Sequence, residues 1–335
     1  MKSVDVIIPV YKPREEFKKL IKLLCMQTVV PDKIILVQTV ADDYAGELLK
    51  VKIDNQKSDK VPYVEVRAVN ASEFDHGGTR NLGASYSDAD YILFMTQDAV
   101  PKNKYLIENL LLTFNENYRP KDFFSNNKDA ESENIPNRQN AISYARQLPR
   151  KEADLVERMT REYNYPDVSR IKYAELLDEL GIHTYFCSDV CAMYDRKIFE
   201  ELGGFVSPTT FNEDMIMAAT VMDHGYNVTY CAEARVIHSH SYKNMEQLRR
   251  NFDMGVSQKM YNEIFSRVSS EKTGSGYALS LIKKLLKAGK PVLAFNFALS
   301  CGFKLAGYKL GKNYDKLPKP LIMKFTLNKN FWKKK

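Results

Sequence analysis

The sequence predicts an α/β fold built on a largely parallel sheet. Short β-forming apolar runs alternate with amphipathic helical stretches, as in Val4–Val10 (VDVIIPV) followed by Phe17, Leu20, Ile21 and Leu24 at helical spacing. Polar and acidic residues also recur just beyond the carboxyl ends of these runs, where open α/β sheets bind ligands. Finally, the chain is long enough, at 335 residues, for one large domain or two smaller ones. Parallel strands need crossover connections, so strand–helix alternation argues for a largely parallel sheet.

The elements follow in order. After the first strand and helix, Lys33–Gln38 (KIILVQ) and Tyr63–Val69 (YVEVRAV) read as strands two and three. Gly77–Ser87 reads as a loop entering a helix, Tyr91–Met95 (YILFM) as a fourth strand, and Leu106, Leu110 and Phe114 as one helix face. The polar stretch 119–138 reads as an exposed, mobile loop. Beyond it come Ala141–Ala145, a charged helical stretch near 151–162, a strand over Tyr185–Tyr194, and a glycine-stopped helix end at FEELGGF. Asn212–His224 reads as a helix that Asn212 would cap and Gly225 would end, followed by short strands at Val228–Tyr230 and Ala234–Ile237 and a long helix over Asn244–Phe265. Gly274-Ser275-Gly276 is the expected linker.

Charge divides the chain unevenly. Ala278–Lys335 holds 14 lysines, no arginine and one acid, Asp315, whereas Met1–Tyr277 holds 35 basic and 41 acidic residues. An acidic body carries a basic tail in which lysines interleave with Leu, Ile, Phe and Tyr. That pattern suits the headgroup region of an anionic membrane, and the absence of arginine and of any nucleic-acid motif argues against nucleic acid. The alternative is a solvated helical hairpin packed on the body. Five scattered cysteines read as reduced thiols of a cytoplasmic protein, and Val4–Tyr11 is too short and interrupted for a signal peptide. No run of ~18 apolar residues offers a spanning helix. His183, Cys187 and Cys191 lack the paired spacing of a metal site.

Three segments sit where strands end: Pro9-Val10-Tyr11-Lys12, Gln38–Asp43 and Met95–Ala99. Asp75-His76-Gly77-Gly78-Thr79-Arg80-Asn81 could bring backbone amides and Arg80 to an anion, or form a tight loop whose arginine pairs with an acid. Glu213-Asp214 opens a helix, which suits either the macrodipole or general-base work. His238-Ser239-His240 could present both imidazoles to one ion, or be two ordinary strand-end histidines.

Taken in order, these segments resemble the family 2 glycosyltransferases, whose fold is the GT-A fold with a Rossmann-like mixed sheet, here with a basic helical C-terminal extension. VDVIIPVYKP is similar to their first nucleotide-binding strand and YILFMTQDAVP to the strand carrying the DxD motif, with Thr96-Gln97-Asp98 in its place. Gly203-Gly204-Phe205 resembles the GGF before the acceptor helix, and Glu213-Asp214 the ED motif, whose Asp is the general base. Gln247-Leu-Arg-Arg250-Asn251 is a partial match to QxxRW, which argues against a processive synthase. FDHGGTRNLG, TQDA, YARQLPRKEA, the NYP at 164–166 and the late HSH are similar to the bacterial rhamnosyltransferase branch.

The resemblance implies residues 1–265 as the transferase domain, and the basic amphipathic pattern makes 266–335 the expected membrane-associating extension. The resemblance implies inverting transfer, from dTDP-L-rhamnose or another nucleotide sugar, onto a hydroxyl of a growing glycan; a membrane-docked tail would suit a lipid-linked acceptor at the inner face of the plasma membrane. A non-catalytic nucleotide-sugar-binding scaffold is the competing reading. Asp214 would be the base with Glu213 beside it. Pro9, Tyr11, Thr39, Asp42, His76, Arg80, Thr96, Gln97 and Asp98 would meet the nucleotide sugar, and Asp98 with His238 would hold Mg²⁺ or Mn²⁺.

Overall fold

The computed structural model describes residues 2–41, 46–51, 60–120, 135–240, 242–268 and 270–334. The strands are β1 (Val4–Val10), β2 (Lys33–Val40), β3 (Tyr63–Asn70), β4 (Tyr91–Met95), β5 (Val100–Pro101), β6 (Asn140–Leu148), β7 (Arg170–Lys172), β8 (Cys191–Asp195) and β9 (Asn227–Ile237). The helices of the body are α1 (Glu15–Leu24), α2 (His76–Ala84), α3 (Leu106–Leu112), α4 (Leu155–Asn164), α5 (Leu177–Leu180), α6 (Arg196–Glu201), α7 (Glu213–Asp223), α8 (Asn244–Met260) and α9 (Asn262–Phe265). The C-terminal region adds α10 (Ser270–Lys287), α11 (Pro291–Lys312), α12 (Lys319–Phe325) and α13 (Lys329–Lys334).

Among the described residues, nine strands form one sheet of order β3-β2-β1-β4-β8-β6-β9-β5, with β7 paired to β9. The first half is parallel, as the strand–helix alternation predicts: β1 pairs β2 and β4, and β2 pairs β3, all in parallel. The second half is mixed, because β8 runs antiparallel to both β4 and β6, while β6 and β9 are parallel. Side chains alternate between the two faces of the buried strands. Ile7, Ile35, Val37, Ile92 and Phe94 pack with the aromatic residues Tyr194, Phe199 and Phe205 and with α7. Val6, Ile8, Ile34, Leu36 and Leu93 pack with Phe17, Leu20, Ile21 and Leu24 of α1 on the other face. Helix α7 is apolar nearly all round and is buried from Met215 to Met222 except at Thr220, as expected of a central helix.

Several boundaries differ from the sequence expectation. The strand read over Tyr185–Tyr194 is limited to β8, because Ser188–Val190 turns into the strand. The two short strands after Gly225 are one strand, β9, whose pairing with β6 shifts register between Ala145 and Arg146. The long helix over Asn244–Phe265 is interrupted at Tyr261. Asn212 does not cap α7: it adopts a left-handed conformation (φ 65°) with no capping bond, and its Oδ1 is buried without a hydrogen-bond partner. The polar stretch 119–138 lies largely outside the described residues.

The expected linker is helical. Gly274 and Gly276 lie inside α10, which is anchored downstream where Leu281 and Leu285 pack with Ala294, Phe297, Val156 and Met159. Two interior glycines weaken a helix by about 1 kcal/mol each, so this packing outweighs propensity. Helix α11 then lies directly on α8. A Cβ at Gly307 would sit 2.1 Å from Leu248 O and one at Gly311 2.1 Å from Phe252 O, so backbone meets backbone there. Asp253 of α8 also accepts from Thr326 Oγ1 (2.6 Å) and from the Leu327 and Asn328 groups, tying down the turn after α12. Among the described residues no helix is long and apolar enough to cross a membrane.

Gly311→Ala should therefore lower stability by about 1–3 kcal/mol, the usual range for overpacking a close contact. Urea denaturation checks this, since an unchanged midpoint would mean that the helices do not approach as described.

Candidate active site

The cavity lies outside the carboxyl ends of β1, β4 and β9. Its volume is about 960 Å³, and Tyr11, Lys12, Thr96, Asp98, Arg150 and Tyr242 are among its lining residues. The strand ends are fixed to each other locally. Gln97 Oε1 accepts from Tyr11 N (2.8 Å) and Gln97 Nε2 donates to Tyr11 O (2.9 Å). The Gln97 amide is thus engaged with backbone, and it holds Tyr11, itself 55% exposed, against the cavity.

At one end of the cavity Asp98, His238 and His240 converge, with one ligand atom from each lying within 4.8 Å of the others. Asp98 Oδ1 lies 3.6 Å from His238 Nε2 and Oδ2 lies 3.2 Å from His240 Nε2. Alternation along the chain after β9 brings both rings to one side, as the His-Ser-His spacing predicts. His238 Nδ1 faces Gln147 Oε1 at 3.1 Å, an oxygen that also accepts from Arg161. That oxygen can only accept, so Nδ1 carries the proton and the Nε2 lone pair faces Asp98 and His240. Burial holds His238 well below the usual imidazole range, reinforced by His240 and three arginines, and burial also lowers His240. Two neutral imidazoles and a carboxylate with an outer-shell acceptor are a fitting donor set for a divalent ion, and the nitrogen share suits Mn²⁺ better than Mg²⁺. His240 joins the Asp98–His238 pair expected from sequence.

The second cluster is carried by α2, α7 and the turn before β8. Arg80, 6% exposed, places Nη1 3.0 Å from Glu213 Oε1 and Nε 3.5 Å from Asp189 Oδ2. Its Nη1 also donates to His76 O (3.0 Å). Asp189 Oδ1 accepts from Tyr194 OH (2.6 Å), and Asp189 N donates to Asp214 Oδ2 (3.3 Å). Asp214 Oδ1 accepts from Met215 N (2.8 Å). One buried cation faces three carboxylates. Burial and then the Glu213 and Asp189 charges raise Asp214 well above the usual carboxylate range, and burial with Glu213 raises Asp189 as well. A carboxyl group raised in this way is matched to taking a proton near neutral pH.

The two clusters are joined. Gln147, whose oxygen meets His238, donates through Nε2 to Ser188 Oγ (2.9 Å), and Ser188 precedes Asp189. Asp189 carries no motif of its own and Gln147 is one residue of the YARQLPRKEA segment with no role legible there; the fold shows both between the histidines and the acids.

Some expected roles change. Arg80 does not line the cavity: its guanidinium pairs with Glu213 and Asp189, the ion-pair reading of that segment. Glu213 correspondingly balances Arg80 rather than capping α7. The glycines of the His76–Asn81 segment serve packing, because a Cβ at Gly77 would lie 2.2 Å from Val206 O. The α2 amino end is closed by Asp75, which accepts from Gly78 N (2.7 Å) and Thr209 N (2.9 Å), so it does not offer a free anion site. Pro9 pairs with Val37 inside the sheet, and Thr39 and His76 lie outside the cavity lining. Thr96 lines the cavity, but its Oγ1 is buried without a hydrogen-bond partner. Asp42 lies outside the described residues. The cations that do line the cavity are Lys12, Arg14 and Arg150, and Arg250 of α8 stacks over Tyr242 at 4.5 Å behind them.

The chain is similar to known proteins in sequence and in fold. Residues 5–203 match the glycosyl transferase family 2 description. The O-antigen chain rhamnosyltransferase RfbN of Salmonella typhimurium is 32% identical over 340 residues, spanning 98% of this chain and 96% of that protein. The O-antigen chain rhamnosyltransferase WbaN of Salmonella anatum is 32% identical over 336 residues, spanning 99% and 96%. Among solved structures, the mannosyltransferase PcManGT of Pyrobaculum calidifontis, in complex with GDP-Man and Mn²⁺, shares the fold with a TM-score of 0.50 at 14% identity, over 100% of this chain and 88% of that one.

Removing the Gln147 acceptor, as in Gln147→Leu, should weaken Mn²⁺ binding about 10–100-fold, the usual effect of an outer-shell partner. Isothermal titration with MnCl₂ measures it, and an unchanged affinity would show that His238 is not oriented by Gln147.

Proposed function

The chain belongs to glycosyl transferase family 2 and is a glycosyltransferase, and from that premise we propose that it transfers L-rhamnose from dTDP-L-rhamnose, with inversion, to a hydroxyl of a lipid-linked polysaccharide precursor. The observation that carries the chemistry is Asp214, raised by burial and by Glu213 and Asp189, and connected through Asp189, Ser188 and Gln147 to the Asp98–His238–His240 group. The rhamnosyl donor rests on the near-full-length similarity to two O-antigen chain rhamnosyltransferases.

In this reading the acceptor hydroxyl attacks the anomeric carbon from the side opposite the diphosphate. The new C–O bond forms as the bond to the diphosphate breaks; the proton passes to Asp214, and dTDP leaves. Asp214 is oriented by the Met215 and Asp189 amides, so its oxygens are held before the acceptor arrives. Lys12, Arg14 and Arg150 take the role expected of Arg80 and face the negative charge of the diphosphate. Asp98, His238 and His240 would hold Mg²⁺ or Mn²⁺, which supplies charge neutralisation to the leaving diphosphate when bound. Residues 1–265 perform the transfer, and residues 266–335 keep the enzyme on the anionic inner face of the plasma membrane, where a lipid-linked acceptor is reached.

Asp214→Asn should reduce rhamnosyl transfer by roughly 10²–10⁴-fold, the usual contribution of a positioned base, while sparing nucleotide binding. The test is a purified enzyme assayed against a panel of nucleotide sugars. Turnover of dTDP-L-rhamnose above the others supports the donor assignment. A wild-type rate in the Asn variant would refute the base, and preferential turnover of a UDP- or GDP-sugar would refute the donor.

A further inference from the structure

The α10–α11 hairpin has one satisfied face and one that is not. Inward, Leu281, Leu285, Ala294 and Phe297 form their own small core with α4, and Gly307 and Gly311 close α11 onto α8. Outward, Val292 is 73% and Phe295 69% exposed, and with Leu299, Gly302 and Ala306 they repeat at helical spacing along the outer side of α11. The chain reverses at Gly289 (φ 69°), where Gly289 N and Lys290 N bond back to Leu286 O and Leu285 O. Around that turn stand the exposed lysines Lys283, Lys284, Lys287 and Lys290. Between Ala278 and Tyr314 there are seven lysines, no arginine and no acid.

We propose that the turn and the outer face of α11 form a bilayer-docking surface for anionic phospholipid, with Val292 and Phe295 entering the acyl boundary and the turn lysines engaging the headgroups. An apolar helical stripe flanked by lysines has the chemistry of an interfacial helix. The complete absence of acids selects an anionic surface over a second copy of this chain, whose own hairpin would bring like charge to like charge. The proposal gives the membrane attachment advanced above a definite face. It also gives the enzyme an orientation, because α8 both seats α11 and carries Arg250, which stacks on Tyr242 in the cavity wall.

The test is flotation of the full chain with vesicles of phosphatidylcholine alone and with added phosphatidylglycerol. Wild-type protein is expected to float with the anionic vesicles and to sediment with the neutral ones. Lys283→Gln, Lys284→Gln, Lys287→Gln and Lys290→Gln together should weaken partition about fivefold per lysine. Val292→Ser with Phe295→Ser should weaken it by about tenfold or more. All six positions are exposed, and an unchanged circular-dichroism spectrum and melting temperature verify that the variants are folded. Equal flotation of wild type and both variants would overturn the proposal. So would a wild-type dimer that the Val292/Phe295 variant dissolves without change in flotation. Flotation as predicted by a protein that does not use dTDP-L-rhamnose would leave the docking surface standing and sink the donor assignment instead.

Discussion

The site depends on a single buried cation. Arg80 extends from α2 to Glu213 at the start of α7 and to Asp189 just before β8, three segments far apart in the chain. An arginine taken out of water needs its charge and its donors answered, and a guanidinium suits two carboxylates better than an ammonium would. The third carboxylate, Asp214, is buried beside this pair of acids. Burial first, and then the Glu213 and Asp189 charges, raise its proton affinity against the opposing pull of Arg80. The arrangement that locks α2, α7 and the β8 approach together thus also contributes to the basicity of Asp214.

The neighbouring contacts serve the same end. Asp75 fixes the start of α2 to Thr209, and Asn81 exchanges hydrogen bonds with the backbone of Phe205. Gly77 allows the close approach to Val206 that these bonds require. Phe205 in turn packs edge-on against Phe94 and Tyr194, and Tyr194 donates its hydroxyl to Asp189. Packing of the aromatic core and placement of the acidic cluster are therefore one structural problem. On the other side, Gln147 connects Ser188 to His238, so the acidic cluster and the group suited to a metal are set relative to each other by β6.

Much of this was legible in the sequence where the signal is local. The alternation of strands and helices, the acid at the end of β4, the His-Ser-His after β9 and the acidic pair at the start of α7 all depend on spacing along the chain. What was not legible depends on partners distant in sequence. Arg80 in a glycine-rich segment reads equally as an anion ligand or an ion pair, and only the approach of Glu213 and Asp189 decides it. Asp189 and Gln147 stand in ordinary strand and turn contexts. Gly274 and Gly276 read as a linker because propensity sees two helix-weakening residues, while the packing of Leu281 and Leu285 that retains the helix comes from α4 and α11. The tail showed its charge but not that α8 would hold it.

The central claim is that burial together with the like charges of Glu213 and Asp189 sets the basicity of Asp214. It is tested most directly by the pH dependence of transfer in wild type and in Asp189→Asn. A base works only when unprotonated, so a raised Asp214 places the acidic limb of kcat/KM above the ordinary aspartate range of about 4. Removing the Asp189 charge frees Arg80 and relieves the repulsion, so the limb should move to lower pH in the variant. A wild-type limb near 4, or a limb that stays in place in Asp189→Asn, would contradict the account.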